Sequence, residues 1–222
     1  LCTVLESAGF SLRKWTSNQK EILADLPCKY LLHKDFLDFD SSSIAKTLGI
    51  RWNALTDSFY FLVQPFPSKD FYTKREVLSD IAKLFDPAGW LAPCVILAKI
   101  LMQRIWMERT EWDDKVSSEI LQEWKSFQSS FVSLNDIALP RWIGFSPTAN
   151  VQFHGFCDAS EKAYAAAIYI RVEIGDNVDV HLLCSKTRVA PLKTLTIPRL
   201  ELCGALLLAK QIDSIIPGLD IA

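Results

Sequence analysis

Val151-Gln152-Phe153-His154-Gly155-Phe156-Cys157-Asp158 reads as an apolar, strand-like run that ends on an acid. A second strand follows over 163–172, where the small residues Ala163, Ala165, Ala166 and Ala167 permit close packing. Gly175-Asp176-Asn177 marks a turn, and a third strand is expected over 178–185. The pattern then changes to a helix over 197–214, with Thr196 suited to its N-cap and Pro198 to its first turn. Glu201 sits in the early turns of that otherwise apolar helix. An apolar strand and an apolar helix are poor places for ionised carboxylates unless a cation compensates them. Asp158 and Glu201 are therefore expected to meet at the sheet end with a compensating cation.

The wording around the two acids carries a resemblance. It lies in Cys184-Ser185-Lys186-Thr187-Arg188-Val189-Ala190-Pro191-Leu192-Lys193-Thr194-Leu195-Thr196-Ile197-Pro198-Arg199-Leu200-Glu201-Leu202, and in Phe156-Cys157-Asp158-Ala159-Ser160 followed by Ala163-Tyr164-Ala165-Ala166. Upstream, Leu84-Phe85-Asp86-Pro87-Ala88-Gly89-Trp90-Leu91-Ala92-Pro93 and Leu12-Arg13-Lys14-Trp15-Thr16-Ser17-Asn18 belong to the same pattern. The chain resembles BEL/Pao-type retrotransposon Pol polyproteins over nearly its whole length. The family segment is also called Pao retrotransposon peptidase. Strand with Asp, hairpin, helix with Glu is how ribonuclease H begins.

That resemblance implies a reverse transcriptase joined to ribonuclease H, and cleavage of the RNA strand of RNA–DNA hybrids during reverse transcription. Two divalent cations roughly 3.5–4 Å apart can activate water and stabilise the leaving oxygen. Hard Mg²⁺ prefers carboxylate and phosphate oxygens. The implied cofactor is two Mg²⁺ ions, with Asp158 bridging them and Glu201 holding one. A third Asp on the next strand and a later fourth acid also belong to the family pattern, and the sequence ends at Ala222 before that strand. This chain alone is therefore expected to be inactive. The implied partners are the hybrid, the template-primer and the remainder of the Pol polyprotein. The implied setting is intracellular, in a cytoplasmic virus-like particle or the nucleus, with DNA integration later in the element's cycle.

Composition sets wide limits. Half of the 222 residues are hydrophobic and 23% are charged, so a packed core is expected rather than disorder. A net charge of −2 carries no global nucleic-acid signal. Locally, Lys186, Arg188, Lys193, Arg199 and Lys210 stand against Glu201 alone between His181 and Lys210. Lys186, Arg188, Lys193 and Arg199 are the candidate contacts to hybrid phosphates. Six cysteines without a C-x-x-C pair read as reduced, mostly buried thiols, and the three histidines lack zinc-ligand spacing. No signal peptide is legible, and the most apolar stretch, 88–107, carries Lys99, Gln103 and Arg104. It reads as a buried helix and no membrane partner is expected.

The fold class expected is α+β in three parts. Residues 1–66 read as the end of a reverse-transcriptase palm, 67–140 as a helical thumb or connector, and 141–222 as the N-terminal half of an RNase H-like mixed sheet with one helix. In the first part, Leu1, Val4, Leu5 and Ala8 share a helix face ended by Gly9, and Phe10 and Leu12 alternate as a short strand. Two further strand signals surround residues 53–58, one of them carrying Leu48 and Gly49, which the resemblance places near the primer. No Y-x-D-D occurs, so polymerase chemistry does not reside in this chain alone.

Gln64-Pro65-Phe66-Pro67-Ser68 marks a boundary. Thr73 and Glu76 form a capping-box pattern, followed by an apolar face of Val77, Leu78, Ile81, Leu84 and Phe85. Asp86-Pro87-Ala88-Gly89 stops that helix, and a second runs over 93–109 as the central one. Asp113 or Asp114 is expected to cap a third, with Val116, Ile120, Trp124, Phe127 and Phe131 inward. Leu139-Pro140-Arg141-Trp142-Ile143 marks the second boundary.

Two alternatives remain. One is a non-catalytic remnant of a domesticated element that binds nucleic acid or protein. The other is an aspartic peptidase, which needs Asp-Thr-Gly or Asp-Ser-Gly; Asp40-Ser41-Ser42 and Asp57-Ser58-Phe59 lack the glycine.

Overall fold

The computed structural model describes residues 2–19, 21–32, 44–47, 50–61, 69–82, 86–145 and 149–215. Two compact units emerge. The first comprises Leu1–Leu62 and Ser133–Trp142, and the second Val63–Val132 and Ile143–Ala222. The helical segment and the C-terminal strands thus share one unit; the chain crosses between units at 62/63 and 142/143, close to the composition breaks near 66 and 140, while residues 133–142 join the first unit.

In the first unit, α1 (Cys2–Ser7) ends at Gly9, whose φ of +80° suits a glycine stop. Residues 10–14 form no strand; the ordered pairing lies downstream, in an isolated bridge of Trp15 with Leu31. The strand signal before residue 53 resolves into two antiparallel strands, β1 (Ile44–Thr47) and β2 (Ile50–Asn53). Leu48 and Gly49 lie outside the described residues. Strand β3 (Ser58–Tyr60) joins β2, and β4 (Ala138–Pro140) joins β3, giving the order β1-β2-β3-β4.

Leu139-Pro140-Arg141 is therefore not a simple boundary, because it supplies an edge strand and an ion pair. The Arg141 guanidinium meets both Asp57 oxygens at 2.5 and 2.8 Å, and the Trp52 indole donates to the same carboxylate at 2.9 Å. Burial pushes the Asp57 carboxyl up, but these partners outweigh it and hold the group below the usual aspartate range.

The second unit opens with α2 (Lys74–Ala82). Its capping box closes in both directions: the Glu76 amide donates to the Thr73 hydroxyl at 3.3 Å, and the Thr73 amide to the Glu76 carboxylate at 2.9 Å. Val77 is fully buried, whereas Leu78 is exposed, and Leu84 and Phe85 lie outside the described residues. Lys74 is buried instead, its ammonium 3.5 Å from the centre of the Trp106 ring. Helix α3 (Ala92–Met107) packs against α2 and against α4 (Ser118–Ser130), as its apolar circumference suggested.

The N-cap of α4 is Ser117, not Asp113 or Asp114; its hydroxyl accepts from the Ile120 amide at 3.4 Å. Asp113 is drawn away by Arg75 at 2.7 Å, and Asp114 accepts from the Glu111 amide at 2.9 Å. Tyr72, Val77, Leu101, Met102, Ile105, Val116, Ile120 and Trp124 form one buried cluster. Each such large side chain contributes on the order of 1.5–3 kcal/mol on burial.

The three strands expected at the C-terminus are β5 (Asn150–Ala159), β6 (Ala163–Ile174) and β7 (Asn177–Val189), an antiparallel sheet in that order. Helix α5 (Ile197–Ile215) crosses β5 and β6. Leu200, Gly204, Leu207 and Gln211 form its buried stripe, at the spacing that a helix face requires. Ala166, Ile168, Ile170 and Val172 alternate along β6 as the buried partners on the sheet. Among the described residues five cysteines are free; Cys28 and Cys157 are exposed, and Cys94, Cys184 and Cys203 half-buried, so the expectation of mostly buried thiols fails. No helix among the described residues is long and apolar enough to cross a membrane.

Candidate functional site

Asp158 is the penultimate residue of β5, paired with Ala165, and it is exposed. One carboxylate oxygen accepts the Ala159 amide at 2.8 Å. Strand alternation fixes the direction of its side chain. Gly155 and Cys157 face α5, since a Cβ on Gly155 would lie 2.9 Å from Leu208, and Cys157 lies beside Gly204. Phe156 and Asp158 therefore leave the sheet on the other side, where Phe156 meets Tyr169 edge to face at 5.8 Å between ring centres.

Glu201 reaches the same strand from α5. Gly204 is where helix and strand backbones meet: a Cβ there would lie 3.5 Å from the Asp158 carbonyl oxygen and 3.6 Å from that of Ala165. Glu201 is one turn earlier, roughly 4.5 Å along the axis. It also shares a flank with Leu208, seven residues on, and Leu208 packs on Gly155 of β5. Glu201 thus projects towards the free edge of β5, is exposed, and has no hydrogen bond or ion pair among the described residues.

The expectation that burial would force a cation onto these acids does not hold, because water solvates both carboxylates. One face of β5 is open, so its apolar letters are not a buried strand. Among the described residues no group of three or more His, Cys, Asp or Glu is placed to hold a metal ion.

The four candidate cations lie elsewhere. All are exposed. Lys186 and Arg188 are on β7, opposite Ala166 and Tyr164 of β6, so the whole of β6 separates them from Asp158. Two strand spacings are about 9.5 Å. Arg199 is two residues before Glu201, about 200° round the helix, and so projects from the opposite flank. Lys193 is in the loop between β7 and α5. The fold brings the acids' backbones together and sets the cations apart from them. Asp57 of the peptidase alternative has both oxygens engaged, and Asp40, Ser41 and Ser42 lie outside the described residues.

A second structural cluster sits at the other edge of the sheet. The Asp86 carboxylate accepts the Trp90 and Leu91 amides, each at 2.8 Å, and so ties down the turn that leads into α3. Burial pushes this carboxyl up despite those donors. The same turn docks on β7: the Ser185 amide donates to the Ala88 carbonyl at 2.9 Å, its hydroxyl to the Gly89 carbonyl, and the Trp90 indole to the Leu182 carbonyl at 3.2 Å. Gly89 has a φ of +75°, and a Cβ there would fall 1.8 Å from the Ser185 oxygen. The local sequence marks Asp86-Pro87-Ala88-Gly89 as a helix stop within the family pattern, and nothing in it points to β7. The glycine was the available signal; its partner is about a hundred residues away and carries no local mark.

Helical block, hairpin and α5 thus form a continuous piece of structure. Residues 73–222 match the family described as Pao retrotransposon-like RNaseH-like domain. The chain belongs to this family. The match spans the helical block as well as the strands, in keeping with their shared compact unit. A ribonuclease H-like domain of a Pao retrotransposon suggests nucleic-acid binding and a polyprotein context. No curated protein matches the chain.

Proposed function

We propose that this Pao-family chain supplies two acids, Asp158 and Glu201, to a Mg²⁺-dependent site that cleaves the RNA strand of an RNA–DNA hybrid. The observation that carries this reading is the Gly204 contact, which sets the Glu201 turn against the Asp158 end of β5. Both residues offer hard oxygen donors at an open edge, the donor type that Mg²⁺ takes. Two carboxylates fill only part of an octahedral shell, leaving positions for water, substrate phosphate and further acids. When bound, the ions would activate water and stabilise the leaving oxygen. The Ala159 amide holds the Asp158 carboxylate, and to share an ion with it Glu201 would reach round from the helix flank. Residues 1–66 remain, on this reading, the end of a reverse-transcriptase palm.

The test is hybrid cleavage with Mg²⁺ in the chain extended through the complete domain. Asp158→Asn and Glu201→Gln should each lower turnover by more than the roughly 10–100-fold that outer metal partners cost. Near-normal turnover by either variant removes that acid from the site. The non-catalytic reading rests on the lack of a third acid beside the pair among the described residues. Hybrid binding that survives with no cleavage in the complete domain would favour it.

A further inference from the structure

We propose that Gln103 of α3 is a positioning residue that fixes the loop carrying Lys193 and the entry of α5, and through them the placement of Arg199 and Glu201. The inference rests on the nuclease reading for its consequence and on geometry for its cause. Ala190 directly follows the last residue of β7, Val189, and is buried. It is gripped from both sides: its amide donates to the Lys162 carbonyl at 2.9 Å, and its carbonyl accepts the Gln103 side-chain amide at 2.8 Å. Beyond Ala190 the chain does not rest on a core. Residues 190–192 and 194–197 instead wall a groove of about 1080 Å³ whose other side is α3 and α4, including Leu97, Leu101 and Phe127. Leu192 is 66% exposed over it.

A loop that spans open space takes its position from its ends. The far end is the first turn of α5, where the Arg199 and Leu200 amides bond the Thr196 carbonyl at 3.0 and 3.1 Å. The near end is Ala190. Lys162 holds it within the sheet, whereas Gln103 is the tie to the helical block. Without that tie, the buried Ala190 carbonyl loses its donor, and the loop and first turn of α5 gain freedom together. The helical block would then act on the site without touching substrate.

The test compares the 222-residue chain with Gln103→Leu, which keeps volume and helix propensity but removes the donor, and Gln103→Lys, which restores a donor. Amide hydrogen exchange is followed at Ala190, Arg199 and Leu200, with Ile168 and Ile170 of β6 as internal reference. Gln103→Leu should exchange at least about tenfold faster at the first three and be unchanged at the reference, and Gln103→Lys should restore protection. Binding to an RNA–DNA duplex should weaken about threefold in Gln103→Leu, with a flatter dependence on salt, as Lys193 and Arg199 lose their placement. Unchanged exchange at the loop, equal acceleration in β6, or no rescue by lysine would each overturn the anchor. Absence of duplex binding by the wild-type chain would count against the nuclease reading, while the exchange comparison still decides the anchor.

Discussion

The two edges of the β5-β6-β7 sheet are treated differently. At β7, the turn Asp86–Trp90 fills the edge with backbone and side-chain partners, and Gln103 holds its end. At β5, no strand or helix pairs the outer side among the described residues, and Phe156, Cys157 and Asp158 are exposed in succession. A bare strand edge invites association and is normally blunted. The contrast is one of packing: the sealed edge is tied to the helical block, and the open edge leaves Asp158 in solvent.

The sharpest way to break this division is a crossed comparison. Asp158→Asn should abolish cleavage in the complete domain yet leave thermal unfolding of the chain unchanged, because asparagine keeps the oxygen that accepts the Ala159 amide. Gly89→Ala should do the reverse. A left-handed alanine costs roughly 1–2 kcal/mol, and displacing the turn from Ser185 loses hydrogen bonds of about 0.5–1.5 kcal/mol each. About 3 kcal/mol in all should lower Tm by roughly 6–12 °C. Gly175→Ala is the control: φ is +59° but a Cβ meets nothing within 4 Å, so only the backbone cost of about 1–2 kcal/mol applies. Equal Tm losses at Gly89 and Gly175 would show that the turn does not seal the edge.

A smaller effect concerns the cations on the sealed side. Lys186→Ala with Arg188→Ala should weaken hybrid binding at every sequence tested. It should flatten the slope of log affinity against log salt by somewhat over one unit, at about 0.7–0.9 per phosphate contact. Since both residues stand across β6 from Asp158, cleavage of bound hybrid should be spared more than binding. Identical salt slopes would reduce this strand to a solvated surface.

The smallest expected effects are in pH. Asp57 is held below the usual aspartate range, so it contributes stability above that range that disappears as pH falls through its folded value. Asp86 is pushed up by burial; its cost to folding appears as pH rises from the ordinary aspartate value through the raised one. Urea midpoints across the acid range should therefore show Asp57→Asn losing part of the decline towards low pH. Asp86→Asn, which keeps an acceptor for only one of the Trp90 and Leu91 amides and so also lowers stability at every pH, should lose the opposing decline. The reverse signs would mean that these carboxylates are not perturbed as their surroundings indicate.

Local patterns carried much of this fold into view. The three C-terminal strands and α5 fall within a few residues of expectation, because period-two and period-3.6 patterning are properties of the chain alone. β7 outruns its expected end at 185, where the exposed Lys186 and Arg188 read as loop; pairing with β6 carries it to Val189. The capping box of α2 was legible for the same local reason. The cap of α4 was not: of the two expected caps, Asp113 is engaged by Arg75 and Asp114 by the Glu111 amide, and Ser117 takes the role.

By itself, then, the sequence determined the order of the C-terminal elements, the family, and the two acids worth testing. Tertiary structure decided what surrounds them. Alternation puts Asp158 on the open face, the helix repeat puts Arg199 and Glu201 on opposite flanks, and contacts between residues far apart in sequence seal β7 and couple it to α3. The physical reason is range: periodicity and caps are written within one or two turns of chain. Solvent exposure and the partner of an edge strand exist only once distant segments have met.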